Sequence, residues 1–169
     1  VSVAQSTMLT QLTEAETALS AMDALNSDNS FSNAATIDNP SEYSLIRSLK
    51  TAAADALGQV RSKSFTSDYQ TTLQALDTAG TALAGTQTAL SRLVLFLTNL
   101  HVTNSYTQTD REEDKATILA NLSSVQTAQS TLDSTTKSLR DASASYDTKI
   151  ASEKGSIATA QGTKDRASA

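Results

Sequence analysis

No proline interrupts the chain between Asp110 and Ala169, and only Gly155 and Gly162 weaken that stretch as helix. An interior proline costs a helix about 3 kcal/mol and a glycine about 1 kcal/mol against alanine. So clean a run predicts one continuous helix over about 110–166, roughly 90 Å long at 1.5 Å per residue. The rest of the chain is almost as free of breakers, with five Gly and one Pro in 169 residues. A β-rich fold needs turn residues at every hairpin, and this sequence lacks them. The expected class is all-α: an elongated antiparallel helical hairpin or coiled coil widening into a three- to four-helix bundle, in a single domain spanning 1–169.

The apolar spacing divides the chain into helices over about 2–26, 40–63, 67–100 and 110–166. In the first, Val1, Met8, Ala15 and Met22 step by seven with Leu12 and Leu19 between them, the pattern of a helix packed along one partner. Residues 27–39 read as a loop, because Asx and Ser side chains bond local backbone and favour turns; Phe31 and Ile37 are expected to pin it. Asn39-Pro40-Ser41-Glu42 then opens the second helix as a cap with proline at its first position and a capping box. Its expected face is Leu45, Leu49, Ala52 or Ala53, Ala56 and Val60. The third helix carries Tyr69, Leu76, Leu83, Leu90 and Leu97 at a strict seven-residue step, joined by Leu73 and Val94. Gly80 and Gly85 lie in this seam, marking a close helix approach or a bend, or else merely tolerated. Residues 101–108 form a turn. Thr109 and Glu112 are expected to box the last helix, whose seam is Ile118, Val125, Leu132, Leu139, Tyr146, Ile150 and Ile157.

These lengths suggest two architectures. In the first, the opening helix pairs with the C-terminal half of the last one, so that Val1 and Ala169 lie together at the base of a two-helix stalk. In the second, a plain four-helix bundle leaves the last helix overhanging. The polar positions Gln129, Thr136 and Ser143 favour the stalk, since they make a thin seam. The run Leu93–Leu97 is apolar on several sides, which places that helix centrally. Both ends of the chain have helical character without start or stop signals, so an excised piece of a longer chain is expected.

Composition narrows the functional classes. Hydrophobic residues make up 38%, against roughly 45–50% in ordinary domains. With three Phe, four Tyr and no Trp, thin seams are expected in place of an aromatic core. The net charge of −5 supplies no basic face for nucleic acid. No apolar run approaches the roughly 18 residues of a membrane span. One His and no Cys leave no His/Cys metal set, and no calcium-loop spacing of Asp occurs. Nucleophile-elbow, Walker and dinucleotide motifs are lacking. His101 sits at a helix end, where a solvated or capping role is expected. The cluster Arg111-Glu112-Glu113-Asp114 reads as first-turn charge on a capped helix, and Asn121-Leu122-Ser123 as a chance match to a glycosylation acceptor. The expectation is a chain with no catalytic residue, metal or cofactor. The candidate partner contact is Leu93, Phe96, Leu97, His101 and Tyr106, with burial in the bundle as the competing reading of the leucines.

Two stretches carry a family resemblance. Ala116-Thr117-Ile118-Leu119-Ala120-Asn121-Leu122 through Ala151-Ser152-Glu153-Lys154-Gly155-Ser156-Ile157-Ala158-Thr159-Ala160-Gln161 resembles the returning arm of the helical hairpin in HlyD-family periplasmic adaptor (membrane fusion) proteins. Val3-Ala4-Gln5-Ser6-Thr7 to Ala18-Leu19-Ser20-Ala21 is similar to the outgoing arm. The insert from Phe31 to Val102 resembles the enlarged hairpins of some such adaptors. The family's hairpin tip bears Arg, Leu and Ser at seven-residue steps. Here Arg111 leads to Ile118 and Val125, and Arg92 leads to Asn99, so no tip residue is carried over. The resemblance implies a bacterial periplasmic or cell-envelope location and a spacer and docking role. It also implies protein partners, namely exporter components and self-association through helix faces, with no nucleic acid and no direct membrane insertion. Two other classes fit the composition: an extracytoplasmic sensory four-helix bundle, which needs a ligand pocket, and a secreted helical lipid carrier, which needs a closed apolar cavity.

Overall fold

The computed structural model describes residues 1–62 and 68–168. They form five helices: α1 (Ser2–Ser27), α2 (Asn29–Asp38), α3 (Pro40–Arg61), α4 (Tyr69–Asn99) and α5 (Gln108–Ala167), with no strand among the described residues. The class is all-α, as the scarcity of breakers predicts. The expected helix end at Lys63, the helix start at Ser67 and the terminal Ala169 lie outside the described residues.

Side-chain pairs fix the helix directions. Lys50 meets Asp23 at 2.6 Å and Arg61 meets Glu16 at 2.7 Å, so α3 runs antiparallel to α1. Arg92 meets Glu42 at 3.1 Å, and a Cβ on Gly85 would lie 3.9 Å from that of Ala53, so α4 is antiparallel to α3. Arg140 reaches Asp77 at 3.1 Å, which runs α5 back along α4. Gln5 donates to the Thr72 hydroxyl at 3.0 Å, so α1 and α4 are parallel neighbours. Those at the surface, such as Arg61 with Glu16 and Arg140 with Asp77, are worth roughly 0–1 kcal/mol each; they report register more than they hold the fold.

The α1–α4 pair forms the centre of the bundle. The helices α3 and α5 flank it on opposite sides and do not touch each other. This explains why α4 is apolar over so much of its circumference: it packs on α1, α3 and α5 at once. Leu76, Leu83, Leu90 and Leu97 are buried as the seven-residue step predicts, together with Ala75, Ala79, Ala82 and Ala89. Alanine-rich seams let helices approach closely with little apolar volume, which accounts for a stable bundle at this composition. Polar side chains inside satisfy themselves locally. The Thr86 and Thr136 hydroxyls donate to the Ala82 and Leu132 carbonyls at 3.0 and 2.9 Å.

Five sequence expectations are corrected. First, 27–39 is mostly helix. Asp28 caps α2 by accepting from the Ser30 and Phe31 amides at 2.6 and 3.2 Å, and Phe31, Ala34 and Ala35 face the core. Phe31 does pin the segment, but Ile37 is 79% exposed. Second, the buried face of α3 is Tyr43, Ile46, Ala53, Leu57 and Val60. Leu45 is exposed and Leu49 only half-buried, because the helix turns toward α2 and α4 through Tyr43. Third, the two capping boxes differ. Asn39 accepts from the Glu42 amide at 3.1 Å, but its own amide goes to the Ala35 carbonyl and Glu42 to Arg92. The box of α5 is Thr107 with Asp110, two residues earlier than expected. Fourth, Phe31, Tyr43, Phe96 and Tyr106 do gather into an aromatic cluster, at one end of the bundle.

The fifth correction concerns the stalk. Ala21 and Leu25 share a groove with Asp114 and Ile118, and Gln11 and Glu14 share another with Ser124 and Thr127. The first half of α5 therefore covers α1, and Val1 comes level with the middle of α5. The overhanging four-helix bundle forms, and the second half of α5 extends past Val1. The reason is apolar density: Met8, Leu12 and Met22 are buried on the same seam system as Ile118, Val125 and Leu132. The sparser face from Tyr146 to Ile157 cannot compete for them.

Gly80 and Gly85 are settled by the space around them. A Cβ on Gly80 would stand 3.5 Å from Gln129 Nε2 and 3.8 Å from Leu132 Cδ2, and one on Gly85 would meet Ala53 at 3.9 Å. These are ordinary contacts, so both glycines are tolerated and neither is required. Gly80→Ala and Gly85→Ala are each expected to stabilise the bundle by about 1 kcal/mol, read as a rise in the urea midpoint at unchanged slope.

Candidate interaction surface

The aromatic end is built where α1 passes into α2 and α4 turns into α5. Phe31 stands edge-on to Tyr43 at 5.7 Å, to Tyr106 at 5.7 Å and to Phe96 at 6.3 Å, while Tyr43 and Phe96 stack at 6.2 Å. Such pairs add about 0.5–1.5 kcal/mol beyond burial. The turn before α5 is closed by the Thr103 amide donating to the Tyr106 carbonyl at 2.8 Å and the Tyr106 amide to the Thr103 hydroxyl at 3.0 Å. That turn drives the Tyr106 ring inward, where its hydroxyl donates to Asp114 at 2.8 Å. Arg111 ties the same corner to α4 by donating from Nη1 to the Leu100 carbonyl at 2.8 Å.

This arrangement disposes of most of the expected partner contact. Leu93, Phe96, Leu97 and Tyr106 are all buried in the bundle. The competing reading, burial, holds for them in this fold. Leu95, between them, is the residue of the apolar run that faces solvent, at 61% exposure. His101 is exposed as expected, and its Nδ1 pairs with Asp38 at the end of α2. The charged cluster Arg111–Asp114 divides among separate partners. Glu112 lies near Arg111, Lys115 and Gln108, and Asp114 serves Tyr106.

An exposed apolar stripe lies on the part of α5 that extends beyond the bundle. Along α5 the seam residues Ile118, Val125 and Leu132 are buried, and Leu139 is half-buried against the core. The same step then continues into solvent: Tyr146 is 71% exposed, Ile150 42% and Ile157 56%. These three line a shallow groove with Lys149, Glu153 and Lys154. Sequence reading placed this stripe correctly on one face but gave it α1 as a partner.

No family model, curated protein or solved structure matches this chain.

What the described residues offer chemically is therefore read from their geometry alone. Among them, no group of three or more His, Cys, Asp or Glu is placed to hold a metal ion. No helix among them is long and apolar enough to cross a membrane. The perturbed titrations belong to structure. Burial, then the hydrogen bond to Asp114 and the charges of Asp114, Asp110 and Asp28, push the Tyr106 phenol well above its ordinary value of 10.0. Burial raises the Asp114 carboxyl, the Tyr106 hydrogen bond opposes that rise, and Asp28, Asp110 and Glu113 add to it. Backbone amides at the helix caps hold Asp68 and Asp110 low.

A pH experiment follows from the signs. Tyr106 has a raised folded value, so its contribution is complete below about pH 10 and is lost as pH climbs toward the folded value. Asp114 is also raised, so the folded state takes up this proton more readily than the unfolded chain does, and stability gains from it as pH falls through the carboxylate range. Tyr106→Phe strands a half-buried carboxylate and is expected to cost about 1–3 kcal/mol at pH 7. The cost should shrink in acid, where Asp114 gains a proton more readily than an ordinary carboxylate, and the decline of stability above about pH 10 should become shallower. Urea unfolding at the three pH values measures all of it.

Proposed function

We propose that this chain is the non-catalytic spacer and docking element of a bacterial envelope export adaptor of the HlyD-family kind. One observation carries the reading. The 60-residue α5 runs unbroken from the aromatic end, through the bundle and beyond it, with its apolar stripe left open on the projecting part. A helix of that length spans roughly 90 Å, and a stripe at coiled-coil spacing is made to receive another helix. The resemblance of residues 116–161 to the returning arm of an adaptor hairpin supports the same assignment. In this reading the bundle stiffens one end of the rod and α5 supplies length and a docking face.

The chain contains no cysteine, which makes the test direct. Ser145→Cys, on the exposed part of α5, is placed in the protein as it occurs in its native bacterium. Labelling by a membrane-impermeant maleimide after outer-membrane permeabilisation is expected, and protection until the inner membrane is broken sinks the reading. A photoreactive residue at Tyr146 or Ile157 should then crosslink to an identified exporter or channel subunit of the envelope. Crosslinks confined to cytoplasmic proteins count against it.

A further inference from the structure

A cleft of about 460 Å³ opens between α1, α2 and α3, beside the aromatic cluster. Its volume falls within the roughly 300–1,000 Å³ of small-molecule sites, but its walls are polar. We propose that it binds a small carboxylate that also carries hydroxyl groups, of the sugar-acid kind. The Arg47 guanidinium takes the carboxylate, and threonine oxygens of α2 and α3 take the hydroxyls.

Arg47 is the decisive side chain. Arg61, Arg92, Arg111 and Arg140 each pair with a carboxylate, namely Glu16, Glu42, Glu112 and Asp77. Arg47, on the cleft wall, meets no carboxylate among the described residues, although the chain as a whole carries −5. Its guanidinium carbon stands 5.9 Å from the centre of the Tyr43 ring, and Tyr43 lines the same cleft. An aromatic face attracts a cation at this range, so the ring seats the guanidinium while its N–H fork stays unclaimed by an acid. Such a fork grips a carboxylate through two parallel hydrogen bonds.

The second cation of the cleft is already taken. Lys50 pairs with Asp23 at 2.6 Å, and both lie on the walls. That pair is neutral, which leaves one net positive charge in the cleft, at Arg47. A ligand ammonium group would have to displace Lys50 from Asp23, which disfavours an amino acid.

The hydroxyls define the rest of the ligand. Ser32 and Thr36 are four residues apart on α2, as Arg47 and Thr51 are on α3, so each pair shares one helix face. The Thr36 hydroxyl donates to the Ser32 carbonyl at 2.7 Å, and the Thr51 hydroxyl to the Arg47 carbonyl at 3.0 Å. With their protons used in this way, both oxygens offer lone pairs to the cleft. Those lone pairs need donors opposite them. Sulfate and acetate bring charge without donors, and a neutral sugar brings donors without charge. A hydroxylated carboxylate brings both, and once bound it ties the short α2 to α3.

The cleft lies in the bundle and is independent of the export-adaptor reading, so either can fail without the other. Amide chemical shifts of the isotope-labelled 169-residue chain are followed as D-glucuronate or D-gluconate is added. Saturable shifts around Ser32, Thr36, Arg47 and Thr51 are expected, with a dissociation constant below about 10 mM. D-glucose, acetate and sulfate should each bind at least about tenfold more weakly. Arg47→Gln should weaken sugar-acid binding at least about tenfold, with the urea midpoint unchanged. Thr36→Val keeps the shape, removes the oxygen and should weaken binding severalfold. Arg140→Gln, on α5 away from the cleft, should leave it unaltered. Failure of both sugar acids to saturate overturns the proposal. So does equal binding of any of the three controls, or binding indifferent to either cleft variant.

Discussion

Phe31→Ala is expected to cost about 3–5 kcal/mol, an effect on the scale of a domain's whole net stability of roughly 5–15 kcal/mol. The ring is fully buried and touches three other rings. It is also the largest apolar anchor of α2, whose other buried residues are Ala34 and Ala35. Its loss should therefore free α2 along with opening a cavity among Tyr43, Phe96 and Tyr106. The check is urea unfolding followed by tyrosine fluorescence and by far-ultraviolet dichroism. A midpoint shift corresponding to less than about 1 kcal/mol would mean that the aromatic end is not packed as described.

The second large effect is a contrast along one kind of position. Leu90 and Ile157 both lie on seven-residue apolar steps. Leu90 is fully buried where α4 meets its neighbours, whereas Ile157 is 56% exposed. Leu90→Ala should cost about 2–5 kcal/mol. Ile157→Ala should stay within about 0.5 kcal/mol for the monomer, as surface changes do. Both are measured on dilute protein, by the denaturant midpoint at constant slope. Equal effects would contradict the register that leaves the end of α5 uncovered.

This contrast also marks how far the sequence could be read. Helix identity was legible because breakers are so few and the steps of α1, α4 and α5 are regular. The stop between Asn99 and Gln108 was legible too, although Thr107, one turn residue beyond the bulky Tyr106, made a better cap than Thr109. The segment 27–39 was misread because its Asn, Asp and Ser content favours turns, yet Asp28 followed by Phe31, Ala34 and Ala35 is a capped helix at the right spacing. In α3, Leu45 and Leu49 suggested a face that Tyr43 and Ile46 displaced, because the aromatic cluster sets the helix's rotation. Which helix covers which is a competition among seams, and a heptad step does not record its partner. Hence the stripe at Tyr146, Ile150 and Ile157 was found on the right face with the wrong neighbour. The hydrogen bond from Tyr106 to Asp114 had no signal beyond an acidic residue one turn into a capped helix.

The threonines and alanines of the core have a consequence for how α5 opens. Between Ile118 and Thr136 its amides are shielded by the neighbouring helices, while past Arg140 nearly every residue faces water. In dilute solution, deuterium should enter the outer amides within seconds and the inner ones only when the whole bundle comes apart. One unbroken helix thus holds two thermodynamic regimes, a permanent anchor and a probe that frays and reforms, separated by about one turn near Leu139.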